Sequence, residues 1–150
     1  MEMRITHCLG FFTCMFLSVH ASALQNDIKL ECQLSSSWMH KGGGKETKNE
    51  NVLVDIKFIG KDIFISAAGK IFSASISTRP DSSSEVINDS DETKFSIDKS
   101  KKGSEGKGNS EYILIDRATG VLHWEKVFRA SAISNSDGKC RQIDSQNKLF

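Results

Sequence analysis

The residues with the most definite chemistry are cysteines. Four occur in the chain, Cys8, Cys14, Cys32 and Cys140. The first two fall in an N-terminal stretch with the marks of an export signal, so Cys32 and Cys140 remain as a pair. An even count in an oxidising compartment predicts a disulfide. Zinc would require about four ligands, and beyond the signal only His40 and His123 accompany the two thiols; neither a metal nor a cofactor is expected. Closing a loop of roughly 100 residues is worth about 4 to 5 kcal/mol in the chain-entropy picture. The bond would staple the first strand to the last.

Other candidate chemistry lacks its context. Gly42-Gly43-Gly44-Lys45-Glu46-Thr47 suggests a phosphate loop, but Met39 and Glu46 stand where that motif needs glycine and a hydroxyl residue. Ser96-Ile97-Asp98-Lys99 and Ser136-Asp137-Gly138-Lys139 have the Ser-x-x-Lys spacing of some acyl transferases, yet that pairing needs a helix to bring the two side chains together. A Ser-His-Asp arrangement would have to use His40, beside a glycine run, or His123, in a strand between Leu122 and Trp124. Asp89, Asp91, Glu85 and Glu92 read as a solvated acidic loop, without the oxygen ligands and glycine of a calcium loop. No catalytic residue is assigned, and the chain is expected not to be an enzyme. Two features remain as possible partner contacts. Arg117 sits in Asp116-Arg117-Ala118-Thr119-Gly120, a turn whose aspartate and glycine suit its backbone. Lys101 and Lys102 belong to the basic run 99–109, which has no interleaved aromatics to stack on nucleic acid.

The elements that would position these groups are strands. Ile28 to Leu34 alternates apolar and polar residues, and Val52, Val54, Ile56 and Phe58 share one face against Asp55 and Lys57. Gly60-Lys61-Asp62 breaks the run before Ile63 to Ser66, which predicts a hairpin. Ile71 to Ser77 follows, then a polar stretch at 79–92 with a short extended piece at Val86-Ile87, and a short strand at Phe95 to Ile97. Glu111 to Ile115 and Val121 to Phe128 bracket the Arg117 turn as a second clear hairpin. Ala130 to Ile133 extends the sheet, Asp137-Gly138 reads as a turn, and a last short strand ends at Ile143, leaving 144–150 as a tail. With no helical period anywhere, the fold is expected to be all-β: an antiparallel up-and-down barrel or a two-sheet sandwich of about seven to nine strands.

Residues 1–23 read as an address. Arg4, the apolar run from Cys8 to Val19, and small residues at Ala21 and Ala23 predict a signal peptide cleaved after Ala23. The run is too short for a transmembrane helix, which needs roughly 20 apolar residues. Residues 24–150 then form a single β domain, periplasmic or secreted. The chain has 150 residues, 20 basic and 19 acidic side chains, one proline and a net charge of +1. These values exclude a multidomain enzyme, a collagenous filament and a multi-pass membrane protein, and give no support to electrostatic capture of nucleic acid.

A signal peptide, a cysteine in the first strand (ECQL), a late I-D-R-x-T-G-x-L hairpin and a closing G-K-C together resemble small uncharacterised exported β-proteins of Gram-negative bacteria. A weaker resemblance is to periplasmic lysozyme inhibitors of the small barrel type, although Ser110-Glu111-Tyr112 does not reproduce their signature. The first resemblance implies no activity. The resulting expectation is a non-catalytic exported β-domain that binds a protein or cell-envelope component through its loops. The alternatives are a carrier of a small apolar ligand in a barrel interior and an inhibitor of lysozyme or another hydrolase.

Overall fold

The computed structural model describes residues 27–39, 43–101, 108–128 and 132–143. Within them the chain forms nine strands and no helix: β1 (Ile28–Met39), β2 (Lys45–Ile59), β3 (Asp62–Ala68), β4 (Ser73–Ser77), β5 (Ser84–Asn88), β6 (Lys94–Lys101), β7 (Asn109–Asp116), β8 (Val121–Phe128) and β9 (Ala132–Gln142). All nine belong to one antiparallel sheet in the order β4-β3-β2-β1-β9-β8-β7-β6-β5, curled into a half-barrel. The all-β expectation holds. The predicted signal segment with Cys8 and Cys14, the tail at 144–150, His40 and Lys102 lie outside the described residues.

Two meanders make up the sheet. Seven of its eight pairings join strands consecutive in sequence, and the eighth, β1 with β9, joins the two halves. Cys32 and Cys140 are register partners in that pairing, and their sulfurs are bonded. The disulfide therefore fastens the first strand to the last, as their positions predict.

The sheet stays open for a reason set by strand number. Nine strands in antiparallel alternation leave the edge strands β4 and β5 running the same way. Pairing them in parallel would need a crossover of about a dozen residues, and residues 78–83 are too few. This connection instead runs back along the opening from the end of β4 to the start of β5, pinned by Arg79 Nε to Asp62 Oδ2 at 3.1 Å and by Lys99 Nζ to Asp81 Oδ2 at 3.2 Å. Its reach of at most about 25 Å holds the two edges near each other and so enforces the curl. Both edge strands have only five residues, which limits the unpaired backbone they expose.

The concave face is the core. Val52, Val54 and Ile56 from β2 meet Ile97, Ile113, Ile115, Leu122 and Trp124 from the other meander, all buried. Phe58 and Phe95 face each other across the interior with ring centroids 6.0 Å apart, and Phe72 stands edge-on to Trp124 at 5.5 Å. Trp124 has no solvent exposure, and its indole Nε1 donates to Glu111 Oε1 at 2.8 Å. The same carboxylate oxygen pairs with Lys126 Nζ at 3.1 Å, so the one polar atom of the largest core residue is satisfied. A second carboxylate, Glu50, accepts from the backbone N–H groups of Ile71 and Phe72 and clamps the turn into β4.

Ser36 and Ser136, also register partners on β1 and β9, are buried with their hydroxyls 2.8 Å apart. Removing one hydroxyl strands the other in the core. Ser36→Ala or Ser136→Ala is expected to cost about 1 to 3 kcal/mol, whereas the double alanine variant costs no more than either single. Urea unfolding of the four proteins in a double-mutant cycle measures this; additive losses would contradict it.

One local expectation is corrected. Asp137-Gly138 is not a turn: β9 runs unbroken from Ala132 through it to Gln142. The glycine is there for close packing, because a Cβ at Gly138 would overlap the Gln33 carbonyl oxygen on β1. β1 also continues past Leu34 to Met39, carried by Ser36 facing inward and Trp38 pairing with Ser134.

Candidate functional site

The strand ends fall into two groups. At one end lie the β2–β3 turn, the β5–β6 turn and the β7–β8 turn that carries Arg117. At the other lie Trp38, the β3–β4 turn and Lys101. Lys94 pairs with Asp116 and Lys101 with Asn109, so the length of β6 separates the two predicted contact residues. Arg117 and Lys101 do not form one patch.

The Arg117 turn is built as its residue types predict. Asp116 Oδ1 accepts from the backbone N–H of Ala118 at 2.9 Å and of Thr119 at 2.8 Å. Gly120 closes the turn at φ 71°, in the left-handed region. Two further backbone bonds fix it to its neighbours: Arg117 N–H to Thr93 O at 2.8 Å on the β5–β6 turn, and Cys140 N–H to Gly120 O at 2.7 Å on β9. A Cβ at Gly120 would overlap the Cys140 carbonyl oxygen, so the turn lies directly against the disulfide strand.

Donors to Asp116 determine its titration. The Thr119 amide, then the Thr119 hydroxyl, then the Ala118 amide hold its carboxyl below the ordinary 3.8, partly opposed by burial. Asp91, on the adjoining turn, is lowered likewise by the hydroxyl and amide of Thr93. A folded pKa below the unfolded one contributes stability in full above the ordinary value, and the contribution disappears as pH falls through the folded one. The Ala118 and Thr119 amide resonances are therefore expected to titrate with a midpoint below the ordinary aspartate value. Asp116→Asn should abolish the shift; an inflection above pH 4.5 in the natural protein would contradict the assignment.

Beside the turn is a recess of about 190 Å³. Its walls are Ile28 and Leu30 of β1, Ile56 of β2, Phe95 of β6 and Ile115 of β7. Asp116, Arg117, Gly120, Cys140 and Gln142 complete its lining. The Arg117 guanidinium lies over the Phe95 ring, its Cζ 5.1 Å from the centroid. Among the described residues no carboxylate is ion-paired with it. Sequence reasoning singled out Arg117 but not the recess. The available signal was that Ile56, Phe95 and Ile115 are each near the end of an apolar stripe, where a sheet's core opens to solvent.

The other candidates are accounted for by local bonding. His123 faces away from Leu122 and Trp124, half-buried on the convex side, with Nδ1 2.5 Å from Asp137 Oδ1. It borders a shallow groove of about 490 Å³ with Tyr112, Asp98 and Glu125. Ser96 and Ser136 lie on strands, where a residue three positions on projects from the opposite face, so neither meets Lys99 or Lys139. Asp91 spends Oδ1 on Thr93 and Lys94 amides within its own turn. Gly43, at φ 81°, and Gly44 lead into the strand β2 rather than into a helix. Among the described residues no group of three or more His, Cys, Asp or Glu side chains is placed to hold a metal ion. No protein-family model, no curated protein and no solved structure matches this chain.

Proposed function

We propose that the protein is an exported, non-catalytic β-domain that binds a protein or cell-envelope component, and that the Arg117 end of the sheet is its contact surface. One observation carries the reading: an arginine without an ion-paired carboxylate among the described residues stands over Phe95 beside a recess that joins apolar side chains of β1, β2, β6 and β7 to polar ones of the β7–β8 turn. Hydrogen bonds from two neighbouring elements hold its turn, so little ordering is needed on binding. The disulfide is compatible with an oxidising compartment, and residues 1–23 supply the signal for reaching one. Carriage in the interior has less support, because Leu122 and Trp124 are fully buried there, Phe72 packs edge-on against Trp124 and Phe58 packs against Phe95.

Two measurements test the proposal. The mass of the protein recovered from the cell envelope should correspond to residues 24–150 less two hydrogens; retention of 1–23, or free thiols, contradicts export. Immobilised protein incubated with envelope extract should retain a partner that Arg117→Gln loses at least tenfold and that Lys101→Gln, at the opposite end, keeps. Equal retention by both variants would remove Arg117 from the contact.

A further inference from the structure

Resting on the proposed contact at Arg117, we infer that the recess there accepts the C-terminal residue of a partner polypeptide, an apolar side chain in the cavity with its free α-carboxylate on Arg117. Size limits the apolar part. A cavity of about 150 Å³ holds one benzene, so 190 Å³ takes a single ring or branched aliphatic group and is too small for a lipid chain. Separation limits the charged part. The guanidinium is 5.1 Å from the ring that forms a recess wall, so the anion and the apolar group must branch from nearly the same atom.

A chain-terminal residue meets this condition, since side chain and carboxylate leave the same Cα. An internal Asp or Glu next to an apolar residue does not, because successive side chains of an extended peptide point to opposite sides. Gln142 also lines the recess and carries an amide N–H that can donate to a carboxylate. Asp116 also lines the recess and is ionised at neutral pH, its Oδ1 engaged by two backbone amides of its own turn, so the ligand carboxylate is held by Arg117 against that repulsion.

The test is an NMR titration of the full exported chain, with isotope-labelled isoleucine methyl and arginine side-chain groups, using acetyl-Gly-Gly-Phe as the free acid and as the amide. Shifts are expected at the methyls of Ile28, Ile56 and Ile115 and at Arg117 Nε, with the acid bound at least tenfold more tightly than the amide. Arg117→Gln, an exposed substitution outside the core, should erase that preference, so that acid and amide bind alike. Equal binding of acid and amide, or shifts confined to other surfaces, would overturn the inference. So would binding of octanoate with none of the peptide acid, which would make the ligand an aliphatic acid. The two claims fail separately. Loss of envelope retention in Arg117→Gln without an acid preference keeps the contact and discards the C-terminal anchor; the reverse keeps the anchor chemistry and discards the envelope partner.

Discussion

Replacing Cys32 and Cys140 together by alanine is expected to lower the unfolding free energy by about 4 kcal/mol. The location of the bond makes the effect large. Every other pairing in the sheet is a hairpin between consecutive strands, whereas β1 and β9 must find each other across a sequence separation of 108 residues. The disulfide holds the one contact whose closure entropy is greatest. Non-local pairing is also slow to form, so refolding of the alanine variant should slow as well. Guanidinium unfolding of the oxidised protein, the reduced protein and the double variant measures the loss. A difference under about 1 kcal/mol would mean that the β1–β9 seam holds without its covalent tie.

Trp124→Ala is expected to cost a similar amount, about 3 to 5 kcal/mol. Trp124 is fully buried, packs edge-on against Phe72, and gives its indole proton to Glu111. Truncation removes the largest side chain of the core and frees Glu111 from one of its two partners. Trp124→Phe separates the contributions: it restores most of the volume but not the donor, and should cost about 1 to 3 kcal/mol. Equal losses for the alanine and phenylalanine variants would place the effect in the hydrogen bond instead of the packing. Thermal unfolding of the three proteins gives the comparison.

Much of the fold is legible in the sequence because a half-buried strand records its facing in every second residue. Val52 to Phe58 and Val121 to Phe128 declare both their strand character and their buried side. Cys32 and Cys140 identify the seam once the predicted signal segment is set apart. What escapes is whatever depends on two distant strands at once. Asp137-Gly138 has the composition of a turn, and only the Gln33 carbonyl across the seam explains why a glycine stands in mid-strand. The half-barrel depends on an odd count of strands, which the blurred segment at 79–92 and the division of β9 into two pieces leave open. Arg117 is visible as a turn residue. Its meaning as a candidate contact comes from Phe95, on the neighbouring strand β6, and from the recess that β1, β2, β6 and β7 enclose only after folding.

Site-specific photo-crosslinking tests the contact surface most directly. A benzoylphenylalanine at Ala118, exposed beside Arg117, is compared with one at Lys70, exposed on the β3–β4 turn at the opposite end. In envelope extract the Ala118 position should give a discrete adduct, lost when Arg117→Gln is added, and the Lys70 position should give none. An adduct from Lys70 with none from Ala118 would place binding at the other end of the sheet and contradict the account.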